Sequence, residues 1–410
     1  MSEVAQAPHS SPDGHIPQLR FPEFSGEWGR KLFNNIVDII DGDRGVNYPK
    51  SNDFFNDEYC LFLSAKNVTK NGFIFNETQF ITKERDALLR KGKLSRGDIV
   101  LTTRGTVGQF AFYSDDVLYD NIRINSGMVL LRNNNDNLLN SYFFKACKSF
   151  QISRQIKIVA FGSAQPQLTV KEINKIKISL PAKPEQQKIA AFLTAVDNKI
   201  EQLSTKQVLL GEYKKGLMQQ IFSQAIRFKA DDGSDFPDWE EKRLGGCILE
   251  NQKSQIQVNF VSDNTERDDV NIYPFFTSGN KALFTDSPIV EGDNIFLSTG
   301  GIATINFYSG KGSYSTDVFC ISSVSENTRF IYYYLLSILI KIDRKLFYGS
   351  GLKHLDKKAF RKIITTLPAL PEQTKIANFL SSVDSKIEQV GKQLDESKQF
   401  KKALLQRMFV

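Results

Sequence analysis

Apolar residues recur at alternating steps of four and three in two stretches of the chain. In the first they are Ile189, Leu193, Val196, Ile200, Leu203, Leu210, Leu217 and Ile221. In the second they are Ile376, Leu380, Val383, Ile387, Val390, Leu394, Leu404 and Met408. That spacing predicts two long helices, each carrying the seam of a coiled coil. The stretches read LPAKPEQQKIAAFLTAVDNKIEQLSTKQVLLGEYKKGLMQQIF and LPALPEQTKIANFLSSVDSKIEQVGKQLDESKQFKKALLQRMF. They align without a gap and share about half their residues, which marks a tandem duplication. Each opens on Pro-Glu-Gln, from Pro184 and from Pro371: proline suits the first helical turn, and an acidic residue there suits the helix dipole. Gln207 and Lys214 interrupt the first seam, Ser397 and Lys401 the second. Gly211, Gly216 and Gly391 lower local propensity. A helix of this length spans on the order of 55 Å, and so narrow a stripe is expected to be covered by the other copy.

The pattern ahead of each helix is shorter in period. Residues 59–68 (YCLFLSAKNV) predict a strand entering a polar turn, and residues 93–112 (KLSRGDIVLTTRGTVGQFAF) predict turn, strand, glycine loop, strand. Gly97-Asp98 marks that turn. The phrase returns as VEGDNIFLSTGGIATINFYSG, with Gly292-Asp293 at the turn. Residues 121–132 predict another strand; residues 138–153 and 328–343 predict one helix in each half. A small-residue loop follows in each half (161–164 and 348–351). Next come a short helix and a strand ending in the Leu-Pro that opens the long helix. Trp28 and Trp239, the two tryptophans, each precede a domain body, in LRFPEF…W and FPDW.

The fold class expected is therefore mixed α/β, with both halves built alike. The predicted divisions are a disordered leader (1–16), a first α/β domain (17–180), a first helix (181–223), a second domain (224–367) and a second helix (368–410).

Composition narrows the function. At 410 residues, with 41% hydrophobic and 24% charged, the chain is an ordinary globular protein of two or three domains. The net charge of +7 leans toward an anionic partner, nucleic acid first. No apolar run reaches the ~18 residues of a membrane span. The leader lacks a signal pattern. Cys60, Cys147, Cys247 and Cys320 form no CxxC pair, so neither a zinc site nor a disulfide framework is expected, and a cytoplasmic setting fits.

Candidate catalytic chemistry is sparse. His9, His15 and His354 are the three histidines. There is no GxxxxGK[ST], and Gly349-Ser350-Gly351 lacks the rest of a dinucleotide fingerprint. Asp238 with Glu240, Glu241 and Lys242 is too compressed for a nuclease site and reads as a solvated helix or turn start. No Asn/Asp-Pro-Pro-aromatic tetrapeptide is present. No catalytic residue, metal or bound cofactor is expected on this chain.

Polar clusters in the predicted loops suit DNA instead. In the first half they are Lys66, Asn67, Thr103, Arg104, Thr106, Asn121, Arg123 and Asn125. In the second they are Ser278, Asn280, Lys281, Thr299, Lys353 and His354. Arginine and lysine pair with guanine edges and asparagine with adenine, while hydroxyls and lysines suit phosphates. Each of these residues can also be read as an ordinary surface-turn group.

The doubled Pro-Glu-Gln helices, LRFPEF…W, FPDWEEKRLG, RGDIVLTTRGTVG and NIRINSGMVLLR together resemble the specificity subunits of type I restriction–modification enzymes. The likeness covers the chain after the leader. It implies two target recognition domains separated by two long antiparallel coiled-coil helices, with pseudo-two-fold symmetry. Each domain would read one half of a bipartite DNA site, and the helices would set the spacer. It also implies a subunit without catalysis of its own, partnered by two methylation subunits and two restriction subunits. S-adenosylmethionine, ATP and magnesium would then be carried by those partners. Two alternatives remain open on the residues: the specificity subunit of a combined cleavage–methylation enzyme, and a coiled-coil protein scaffold that binds no DNA.

Overall fold

The computed structural model describes residues 16–160, 167–256, 272–279 and 283–410. The chain divides into two compact units, Met1–Gln202 with Gln393–Val410, and Leu203–Lys392. The long helices, Lys183–Phe222 and Leu370–Arg407, both cross that division. Each unit thus holds the beginning of one helix and the end of the other.

The first unit is built on a four-stranded antiparallel sheet, in the order Val37–Asp41, Met128–Asn133, Ile99–Thr102, Phe110–Phe112. Ile99–Thr102 is buried along its whole length because both sheet faces are covered. The period of two sorts its residues between two cores. Ile99, Leu101, Val129 and Leu131 face Phe33, Tyr142 and Phe143. Val100, Met128 and Leu130 face Leu61, Tyr113 and Ile122. A smaller sheet places Cys60–Phe62 between Phe80–Ile81 and the parallel strand Ile122–Arg123. Gly29–Leu32 pairs antiparallel with Lys177–Leu180, bringing the domain entry alongside the strand that feeds the long helix.

The second unit repeats this plan. Its main sheet runs Ile248–Glu250, Val318–Ser323, Asp293–Ser298, Ile305–Ser309. Tyr273–Phe276 lies between Leu283–Thr285 and the parallel strand Ser313–Tyr314. Glu240–Arg243 pairs with Ile364–Leu367. Glu240, Glu241 and Lys242 are therefore strand residues and not a helix start: the ladder to Ile364–Leu367 overrides their weak strand propensity. Trp28 meets Tyr142 edge-on at 6.4 Å and Trp239 meets Phe330 at 6.2 Å, one matched pair in each unit.

The single helices expected over 138–153 and 328–343 are each two. In the first unit they are Asn140–Cys147 and Phe150–Ala160, the break fixed by buried Ser149, whose hydroxyl accepts from Ile152 N at 3.3 Å. In the second they are Thr328–Ser337 and Leu339–Leu346. The small-residue loop at 161–164 lies outside the described residues.

The long helices run antiparallel within each unit. Ile189 and Leu193 share the first unit's core with Leu404, Met408 and Phe409. Met218 and Ile221 share the second unit's core with Ile376 and Leu380. Of the predicted seam, Ile189, Leu193, Leu203, Ile376, Leu380, Val383 and Val390 are buried, and Val196, Ile200 and Ile387 are half-buried. The early turns of each seam also face the domain body and not the other helix alone. Lys214 and Lys401, which break the apolar pattern, are its cross-links. Lys401 Nζ lies 2.6 Å from Asp197 Oδ1, and Lys214 Nζ lies 2.6 Å from Asp384 Oδ1. These are one ion pair written twice, since Asp197 aligns with Asp384 and Lys214 with Lys401 in the duplication.

Candidate nucleic-acid interface

Each unit first fixes its long helix to its domain through the Glu-Gln of the repeated opening. Glu185 is 2% exposed and accepts from Arg20 Nε and Nη2, both at 2.7 Å. Glu372 is fully buried and accepts from Arg227 Nε at 3.1 Å and Nη2 at 2.9 Å; that carboxylate raises the Arg227 pKa. Gln186 accepts from Leu139 N at 2.9 Å, and Gln373 from Asn327 N at 3.0 Å. The Glu-Gln pair therefore clamps the domain onto the helix, a larger role than the helix-dipole one read from sequence.

In the first unit the loop joining Ile99–Thr102 to Phe110–Phe112 is held by Thr102. Its hydroxyl donates to Thr106 O and accepts from Gln109 N at 2.9 Å. Gly105 takes φ of 71°, a left-handed turn that favours glycine. Thr103 N and Arg104 N both donate to Gly127 O, at 2.8 and 3.2 Å, and Leu168 N donates to Thr103 O at 3.0 Å. The turn carrying Gly127 is closed by Asn125 Oδ1, which accepts from Gly127 N at 2.8 Å. These bonds bring four predicted residues together: Arg104 and Thr106 exposed at the tip, Asn125 half-buried beside them, and Thr103 buried beneath. Arg44 joins them by donating to Ser126 O at 3.3 Å. Sequence reasoning missed it, because nothing local ties residue 44 to residue 126. Gly42 permits the approach: a Cβ there would lie 2.2 Å from Asn125 O.

Two first-half expectations are corrected. Arg123 is buried, and its guanidinium is consumed internally by Asp86 Oδ1, Lys91 O at 2.7 Å, Asp86 O at 2.8 Å and Leu89 O at 3.0 Å. Burial pushes the Asp86 carboxyl up, but hydrogen bonds from Lys93 and Arg123 outweigh it and hold the pKa below the usual range. Asn67 is also buried, closing a turn onto Ser64 and donating to Ile74 O and Glu77 O at 3.0 and 2.8 Å. Neither side chain is placed to meet a base, since each is spent on its own fold. Lys66 is exposed and pairs with Glu77 at 2.6 Å. Asn121 is half-buried, with its carbonyl accepting from Leu61 N at 2.9 Å.

The second unit builds the same loop from different residues. Ser298 Oγ donates to Ile302 O and accepts from Thr304 N, both at 2.8 Å. Thr299 N and Oγ1 donate to Asp317 O at 2.9 and 2.8 Å, and Leu355 N donates to Thr299 O at 3.0 Å. Ser298 thus stands where Thr102 does, Thr299 where Thr103 does, and Leu355 where Leu168 does. Ser278 and Ser315 both donate to the Asp317 carboxylate. Burial acts to raise that carboxyl, but the two hydroxyls prevail and keep it below its ordinary range. The result is an open cleft of about 610 Å³ that gathers Ser278, Thr299 and His354. Lys353 is exposed immediately before the strand His354–Leu355, and Asn280 and Lys281 lie outside the described residues. Among the described residues no group of His, Cys, Asp and Glu is arranged to hold a metal ion, and no helix is long and apolar enough to cross a membrane.

The type I restriction modification DNA specificity domain matches residues 32–210 and again residues 237–396. A Methanocaldococcus jannaschii protein assigned to the MjaX type I restriction enzyme as its specificity subunit is 27% identical over 368 residues, 83% of each chain. The MjaVIII specificity subunit of the same organism is 25% identical over 364 residues, 80% of this chain and 79% of that one. The crystal structure of the type I restriction-modification S subunit from M. genitalium superposes with a TM-score of 0.66 at 15% identity, covering 96% of this chain and 99% of that one. That last likeness establishes the fold: mixed α/β domains in tandem with long packed helices. With the family's domain matched in both halves, the chain belongs to the type I restriction–modification DNA specificity family and carries its recognition domain twice.

Proposed function

We propose that this chain is the DNA-reading subunit of a type I restriction–modification complex, each unit reading one half of a bipartite site through its hairpin loop. The observation that carries this reading is the repeated loop scaffold with different chemistry at its tip. One copy presents Arg104 and Thr106; the other has Gly300 and Ile302 at those positions, with His354 brought beside them from a separate strand. A conserved backbone with divergent tips suits two readers of unlike sequences.

The two long helices set the spacer between half-sites, in the way that a rigid dimer fixes its half-site separation. They also offer the docking surface for two methylation subunits. Two restriction subunits complete the assembly, and it works in the cytoplasm. The chain contributes recognition and no chemical step. Adenine methylation with S-adenosylmethionine, and ATP- and magnesium-dependent translocation and cleavage, belong to the partners.

Duplex binding across a salt series tests the reading. Affinity should fall steeply and linearly in log–log form as phosphate contacts release counterions. A salt-independent, DNA-indifferent chain that still assembles with partner proteins would instead be a scaffold.

A further inference from the structure

The second unit's cleft carries two aliphatic side chains that its fold does not use. Ile302 is 74% exposed and Leu352 is 65% exposed, yet both line the cleft with Thr299, Asp317 and His354. They project from segments locked together, since Gly301 N donates to Lys353 O at 2.9 Å and Leu355 N to Thr299 O at 3.0 Å. Leu352 Cδ2 lies 3.7 Å from where a Gly300 Cβ would stand, within van der Waals reach of the loop that carries Ile302. The polar groups of the floor are already engaged: Thr299 Oγ1 with Asp317 O, and Ser278 and Ser315 with the Asp317 carboxylate. No lysine or arginine lines the cleft among the described residues. Among the described lining residues, a phosphate would meet the Asp317 carboxylate with no lysine or arginine beside it. An uncharged base edge with an apolar projection fits better, and in the major groove that projection is the thymine 5-methyl group. In the first unit Thr106, not an aliphatic residue, occupies the position of Ile302.

We propose that Ile302 and Leu352 read the methyl group of a thymine, which makes an A·T pair a fixed letter of the half-site read by the second unit. This rests on the DNA-reading function proposed above. The test uses the full chain in complex with its methylation subunit, on duplexes carrying the mapped site. Thymines in the half whose readout survives Arg104→Ala are replaced one at a time by deoxyuridine, which removes only the methyl.

One replacement should weaken binding about fourfold, the effect of one methyl-sized apolar contact. Ile302→Ser and Leu352→Ser, both at exposed positions, should then bind the thymine and deoxyuridine duplexes alike while leaving the other half-site's readout unchanged. The proposal is overturned if no thymine in that half responds, if the half contains none, or if both variants keep the full response. It is also overturned if the variants weaken only the grip on the methylation subunit. Failure of the unmodified complex to bind any duplex would overturn the DNA reading itself, before deoxyuridine enters the experiment.

Discussion

Arg20 and Arg227 show how a single side chain fixes a domain to its helix. Each pairs with a carboxylate that has almost no contact with solvent, Glu185 or Glu372. Removing one member of a buried pair leaves the other uncompensated, which costs about 3–5 kcal/mol. Arg20→Ala should therefore destabilise the first unit by about that amount and leave the second unit's transition in place, as read by chemical denaturation. Arg227→Ala should do the reverse.

The pairing was only half legible in sequence. Leu19-Arg20-Phe21 recurs as Ile226-Arg227-Phe228, and Phe21 and Phe228 meet Phe192 and Phe379 edge-on at 5.7 and 5.5 Å. The distance from that triplet to the tryptophan differs between halves, so matching the phrases at the tryptophans, LRFPEF…W and FPDW, does not lead to Arg227. Arg123 and Asn67 differ in the opposite sense, since both are buried and bonded within the fold. Both look like DNA readers by residue type, but a planar fork or amide close to strand ends serves buried carbonyls equally well, and only tertiary contacts decide.

Lys148 gives the residue scale a pH signature. Burial first, then the charges of Lys401 and Lys145, lower its pKa to about 8, against the opposing pull of Asp197. Its ring contact with Phe144, at 4.3 Å to the centroid, keeps it against the fold. Below pH 8 the folded state must hold a penalised ammonium. Between pH 8 and the unfolded value near 10.5 the unfolded chain binds more protons, so stability rises with pH across that window. Lys148→Met should stabilise the first unit at pH 7 by up to about 3 kcal/mol and flatten the rise between pH 8 and 10. Denaturation midpoints at pH 7 and pH 9.5 measure both effects.

At the scale of the element, the heptad was the most legible feature of the chain, because a seam repeated over many turns cannot arise from a local accident. What periodicity could not disclose is that its interruptions are specific. Lys401 is placed on Asp197, which also accepts from Lys145 Nζ at 2.5 Å. Lys214 is placed on Asp384, which also accepts from Tyr333 Oη at 2.6 Å. Burial would raise the Asp197 carboxyl, but hydrogen bonds from Lys145 and Lys401 hold its pKa below normal. Its contribution is therefore present above the unfolded carboxyl pKa, near 4, and is lost as pH falls through the lower folded value.

Asp197→Ala should destabilise the first unit by about 1–3 kcal/mol at pH 7, less than a fully buried pair because Asp197 is partly exposed. The variant and parent should converge as pH falls through the lowered folded value of Asp197. Gly216 marks a weak point of a different kind. A Cβ there would meet nothing within 4 Å, and the aligned residue in the second helix is Ala403. Gly216→Ala should raise the second unit's stability by about 1 kcal/mol, seen as a melting shift of about 2–4 °C.

For the molecule as a whole, the duplication was legible and the division of labour was not. Sequence similarity counts the long helices as separate segments between domains, whereas contacts assign each unit half of both helices. That difference follows from burial. Phe409 packs on Tyr142 at 5.9 Å and Phe222 on Phe330 at 5.7 Å, so the far end of each helix completes a core hundreds of residues from its own domain in one case and adjacent to it in the other. Each unit therefore depends on both helices. Under the function proposed above, the length of a helix is then shared by both units, and the proposal makes the spacer a property of the helices.

The most direct measurement maps methyladenine across plasmid DNA from cells that express the chain with its methylation subunit. It is made for the parent and for a variant with one added helical turn, about four residues, in each long helix between the two units. The account predicts one bipartite, gapped motif for the parent, and for the variant the same two half-sites with a changed gap. An ungapped motif, or an unchanged gap in a variant that still methylates, would contradict it.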